Sequence, residues 1–161
     1  MAPVRRFVES CLCLAERLRW SPPLIARLFI GYLFMRSGWG KVHRIDWFTA
    51  NFVHWGIPHA HFLARLTAYT ELIAGAMVLA GFLTRAAAIA LLIDMGVALA
   101  TVQLKRVSDF YGFVSLHEPY YMVVFFWLTI EGAGTISLDW LIEKLGHLPG
   151  WAQLPVKSLP D

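Results

Sequence analysis

The chain has 161 residues, 58% of them hydrophobic and 16% charged, with 14 Lys+Arg against 11 Asp+Glu. A mean hydropathy of +0.56 sets it far from an ordinary soluble domain. The excess of positive charge, with a sequence pI of about 9.1, suits contact with anionic lipid. No basic stripe interleaved with aromatics points to nucleic acid.

Residues 1–21 open the chain. Arg5, Arg6, Glu9, Glu16, Arg17 and Arg19 interrupt any hydrophobic region of a cleavable signal. Phe7, Cys11, Leu14 and Leu18 recur at helical spacing, so residues 4–19 read as an amphipathic helix on a membrane surface, with a basic disordered tail as the alternative. Cys11-x-Cys13 lacks the spacing of a redox pair.

Four apolar runs follow, Pro22–Lys41, Phe62–Leu83, Ala86–Leu104 and Tyr120–Ile142. Each approaches the ~20 residues that a ~30 Å hydrocarbon layer requires. Short connections leave no room for a second domain. The expected fold is therefore all-α, an integral membrane four-helix bundle over residues 22–145, preceded by the interfacial helix and followed by an irregular tail, 146–161, with Pro149, Pro155 and Pro160. With both termini cytoplasmic, the inner side holds Arg5, Arg6, Arg17, Arg19, Arg85, Lys144 and Lys157, and the outer loops hold Lys41, Arg44, Lys105 and Arg106. That bias favours both ends inside. Gly81 to Arg85 reads as a tight turn, and Trp47, Phe48, Phe52 and Trp55 as a short aromatic helix at the outer interface.

Arg27, Arg36, Glu71, Asp94 and Glu131 lie inside these runs. Each costs roughly 2.5–3.5 kcal/mol at the centre of a membrane helix, so each is expected to have a partner or a task. At 100° per residue, Arg27, Gly31, Phe34, Gly38 and Lys41 share one face of the first helix, with Arg36 on the opposite side. Glu71 aligns with Ala64, Thr67, Gly75 and Val78; Asp94 with Ala87, Ala98, Thr101 and Lys105; Glu131 with Tyr120, Val124, Trp127 and Thr135. Depth along the helices predicts an Arg27–Glu71 pair, either structural glue or part of a ligand site.

Arg27-x3-Gly31-x2-Phe34-x3-Gly38-x2-Lys41, then Gly56-Ile-Pro58, Glu71-x3-Gly75, Gly81-x2-Thr84-Arg85 and Gly132-Ala-Gly134-x2-Ser137-Leu-Asp139 together resemble the DoxX family of small four-helix membrane proteins. Arg36, Asp94 and the long N-terminus depart from that pattern. The resemblance implies a bacterial inner-membrane location and site residues Arg27, Lys41, Glu71 and Arg85. It also implies association with a redox system, through quinone or a partner oxidoreductase or membrane subunit, or else a scaffold or assembly role without catalysis.

The residues themselves extend the interior polar site to Asp94 and Glu131, with Phe34, Tyr120 and Trp127 as flanking aromatics. An acid and a cation beside aromatics suit a quinone head group, whose carbonyls need donors and whose reduction needs a proton. A homo-oligomer is compatible with the same charges. His43, His54, His59 and His61 cluster in the first outer loop but lack a third ligand at defined spacing, so no metal is expected. The chain carries no phosphate loop, nucleophile elbow, zinc-protease helix or haem-attachment motif, which leaves soluble-enzyme chemistry unsupported.

Overall fold

A computed structural model describes residues 12–14, 16–105 and 107–145, and the regular structure among them is entirely helical. The N-terminal helix expected over 4–19 lies mostly outside the described residues; within them, 12–14 and 16–17 are helical, with Leu12 and Leu14 exposed. The irregular tail expected over 146–161 lies wholly outside them.

Helix α1, Ser21–His43, starts on Pro22 and Pro23, whose missing N–H groups would have no partner in a first turn anyway, and closes with Lys41 and His43 near its carbonyl end. Helix α2, Ile45–His54, follows almost at once. Helix α3, Ala60–Ala80, and helix α4, Thr84–Ala98, form an antiparallel hairpin through the turn at Gly81, as the sequence predicts. The chain of α4 continues through a π-helical turn, Leu99–Gln103, in which Leu104 N donates to Leu99 O at 2.9 Å. Helix α5, Phe110–Val114, is capped by Asp109. Helices α6, His117–Glu131, and α7, Leu138–Lys144, are the last among the described residues.

Two helical stretches, Ala60–Ala80 and Thr84–Gln103, are long and apolar enough to cross a membrane. Helix α1 has 23 residues, about 35 Å at the α-helical rise, but carries Arg27, Arg36 and Lys41. The fourth run is not one helix. Helix α6 has 15 residues and ends at Gly132, where φ is +83°; Gly134, at φ +74°, keeps the chain out of the helix until Ser137 caps α7. A left-handed backbone angle at Gly132 stops the helix although apolar residues continue past it.

The interior forms where α1, α3, α4 and α6 meet. Ile30, Phe34, Val78, Leu91, Phe125 and Leu128 are buried together, with Phe34 set edge-on to Phe125 at 4.9 Å between centroids. A second cluster seats Phe48 and Phe52 of α2 on Ala60, Ala64 and Ala68 of α3. The backbones of α1 and α3 nearly touch: a Cβ on Gly31 would sit 2.6 Å from Leu79 N, and one on Gly75 would meet the backbone of Phe34 and Met35. Small residues on both helices make that approach possible. Outward, large apolar side chains lie bare, Phe29 being 77% and Val123 69% exposed. An apolar exterior of this kind marks a membrane-facing surface.

The expected interior faces of α1 and α3 are the ones the structure buries: Arg27, Gly31, Phe34 and Gly38 on α1, and Ala64, Glu71, Gly75 and Val78 on α3. The face chosen for α6 is wrong by about one residue. Phe125 and Leu128 are buried there and Tyr121 packs on them, whereas Tyr120 and Glu131 are exposed. Large apolar volume decides which way that helix turns. Glu131, the last residue of that helix, has no need to enter the core.

Candidate functional site: a cavity beside a paired lysine and glutamate

Each position on α1 meets α3 one step further back: Gly31 faces Leu79, Met35 faces Gly75, and Gly38 faces Leu72. That antiparallel register sets Arg27 level with Leu83 and Glu71 level with Trp39. The separation along the helices is about 18 Å, so the expected Arg27–Glu71 pair does not form. Depth measured from each run's own ends concealed this, because only the packing of one backbone on the other fixes their relative height.

Arg27 and Arg85 instead stitch together the end of the bundle that holds the α3–α4 turn. Arg27, 2% exposed, donates to Ala133 O at 3.0 Å and to Ile136 O; Arg85 Nη2 donates to Ile130 O at 3.2 Å. The Asp139 carboxylate accepts from Leu83 N at 2.7 Å and Thr84 N at 3.1 Å, capping α4 from a distant segment, while Asp139 N donates to Gly81 O. These residues satisfy carbonyls and amides that the break after α6 and the start of α4 leave without helical partners. Their arrangement is architectural, and neither arginine belongs to the polar site proposed for the interior.

At the opposite end lies a cavity of about 610 Å³, bounded by α1, α2, α3, the last turns of α4 and the start of α6. On its polar side Lys41 Nζ meets Glu71 Oε1 at 2.5 Å, and Ser37 Oγ donates to Glu71 Oε2 at 3.0 Å. Glu71 is 2% exposed. Lys41 also stands 5.0 Å from the centre of the Phe48 ring. Asp94 lines the cavity together with Thr67 and lies within electrostatic reach of Glu71 and Lys41; its Oδ2 is buried without a hydrogen-bond partner. At the end of the π-helical turn, Gln103 Nε2 donates to Glu118 Oε1 at 2.7 Å, and both side chains line the cavity. Phe34, Phe48, Phe52, Trp55 and Tyr121 supply its aromatic wall.

Of the residues singled out from sequence, the cavity gathers Lys41, Glu71, Asp94 and Phe34. It does not gather Arg27, Arg85 or Glu131. Tyr120 points away, its place taken by the next residue, Tyr121; Trp127 packs against the core instead. Sequence reasoning missed Ser37 and Gln103; Thr67 was placed on the Glu71 face, but neither it nor Glu118 was counted in the site. Ser37 is four residues from Lys41, at a helical spacing that could have found it. Gln103 enters through the π-helical turn, which helical periodicity does not anticipate. Arg36, as expected, turns to the opposite side of α1, where it is exposed in an apolar groove with Met35, Trp39, Leu72 and Leu138. Among the described residues, no group of three or more metal-ligating side chains converges.

A bare apolar exterior, two helical stretches long and apolar enough to span a bilayer, and a polar cavity among the helices are the features of a helical membrane protein. The DoxX family model matches residues 23–104, and the chain belongs to that family. It is also similar to the uncharacterized membrane protein Rv3486 of Mycobacterium tuberculosis, 32% identical over 136 residues that cover 76% of this chain and 83% of the relative. No solved structure matches. The family match takes in α1 to the π-helical turn, and thus Lys41, Glu71 and Asp94, but ends before Glu118.

Proposed function

We propose that this protein spans a bacterial inner membrane as a four-helix bundle, with both termini cytoplasmic, and serves a membrane redox system by holding a quinone-type molecule in the outer cavity. The observation that carries this reading is the cavity of about 610 Å³ with the Lys41–Glu71 pair in its wall. Its size lies within the range of small-molecule sites, and such sites combine an apolar lining with a few placed polar groups. Lys41, with donors to spare beyond its bond to Glu71, offers hydrogen bonds to a carbonyl oxygen. Glu71 and Asp94 offer carboxylates that exchange a proton when such a head group is reduced. Phe34, Phe48 and Tyr121 give the ring an aromatic surface. The topology accords with both ends of the bundle's chain, near Pro23 and Asp139, lying on the side of the α3–α4 turn.

Titration of a short-chain quinone analogue into protein held in lipid nanodiscs, read by tryptophan fluorescence with Trp55 in the cavity wall, tests the reading. Saturable quenching is expected, weakened about tenfold in Glu71→Gln, the equivalent of one charge-assisted hydrogen bond. No saturable change in either protein removes the quinone and leaves the second reading. In that reading the protein is a scaffold or assembly factor, and exposed Arg36 in its apolar groove receives a carboxylate from a partner's helix or from a second copy. Arg36 favours it; the placement of Asp94 inside the cavity does not.

A further inference from the structure

Asp94 and Glu118 play no necessary part in recognising a carbonyl, yet both face the cavity. Together with Glu71, three carboxylates line this space against one ammonium among the described residues, that of Lys41, and it is already committed to Glu71. Glu118 has a neutral partner in Gln103, and among the described residues that line the cavity no second cation accompanies Lys41. Asp94 has an oxygen that is buried and accepts nothing. The unused hydrogen-bonding capacity on this side of the cavity is thus that of an acceptor, in a negative field, facing aromatic rings. A buried acceptor left unmade is costly, and a ligand that brings a donor recovers that cost. A positive charge gains in addition from the faces of aromatic rings.

We propose that the cavity binds a lipophilic amine in its protonated form, the ammonium hydrogen-bonding to Asp94 within the field of Glu118, and the hydrocarbon part lying on Phe52 and Tyr121. This goes beyond the quinone reading, which needs donors from the protein, whereas here the ligand is the donor. It rests on the same cavity, shares Asp94 and Tyr121 with that reading, and adds Glu118 and Phe52. The cavity's volume accommodates a phenyl ring with a short alkyl chain.

The probes are 4-phenylbutylamine and 4-phenylbutanol, of nearly equal size and differing in charge. Each is titrated at neutral pH into the full chain in nanodiscs of zwitterionic lipid, with empty nanodiscs subtracted, and read by calorimetry. The amine is expected to bind at least tenfold more tightly than the alcohol. Asp94→Asn, which keeps the shape of the side chain, should abolish most of that preference while leaving the alcohol's affinity within about twofold. Equal binding of amine and alcohol by the unmodified chain overturns the proposal, and so does a preference that survives Asp94→Asn. The first comparison needs no variant, so a misfolded Asp94→Asn does not shelter the idea. The quinone titration separates the two readings: quinone binding without amine preference removes only this inference, whereas failure of every probe removes the cavity as a ligand site.

Discussion

The register of α1 on α3 makes a quantitative prediction about which buried charges depend on each other. Lys41 and Glu71 share a hydrogen-bonded ion pair, whereas Arg27 is about 18 Å from Glu71 along the helix axes and bonds to Ala133 O and Ile136 O. In a double-mutant cycle of Lys41→Met and Glu71→Gln, the coupling energy should be about 1–3 kcal/mol. That is the range for a hydrogen bond to a charged group, below the ~3–5 kcal/mol of a fully dry pair, because the Lys41 side chain is 25% exposed and the cavity admits water. The cycle of Arg27→Met and Glu71→Gln should be additive within about 0.5 kcal/mol, as expected of sites well beyond contact distance. Reversible unfolding in mixed micelles, followed by circular dichroism against the fraction of denaturing detergent, measures all the variants on one scale. Arg27 coupling to Glu71 as strongly as Lys41 does would refute the register and restore the pair that the sequence suggests.

Other outcomes follow from the packing. Gly38→Ala places a methyl group against the backbone of Glu71 and Leu72 and should destabilise by about 1–3 kcal/mol, whereas Gly40→Ala, with nothing within 4 Å, should be neutral or slightly stabilising in the same unfolding assay. Phe125→Ala removes a fully buried side chain and should cost about 3–5 kcal/mol, against under about 1 kcal/mol for exposed Tyr120→Ala; the reverse order would return α6 to the face first assigned to it. Asp139→Ala deletes the acceptor for Leu83 N and Thr84 N and should cost about 0.5–2 kcal/mol, with hydrogen exchange faster at the first turn of α4 than elsewhere in that helix. Reporter fusions at residue 161 and within 45–59 should report opposite sides of the membrane; the same side for both would end the proposed topology.

Much of this protein is legible in one dimension. Composition and four long apolar runs identify the solvent, because a bilayer demands length and hydrophobicity that can be counted along the chain. The order of small and charged residues identifies the DoxX pattern and the buried faces of α1 and α3, since one-helix geometry is set by a constant angle per residue. The hairpin at Gly81 is readable for the same local reason. What one-dimensional reading could not supply is relative height and rotation between helices. Whether Arg27 or Lys41 meets Glu71 depends on where Gly31, Gly38 and Gly75 let two backbones touch, a contact between segments some 40 positions apart. Which way α6 turns depends on finding room for Phe125 and Leu128 rather than on the presence of an acid. The departure of the chain from a helix at Gly132, and its return to cap α4 through Asp139, joins residues that have no periodic relation. The cavity exists only because five helical segments converge, and packing, not propensity, decides how closely they do so.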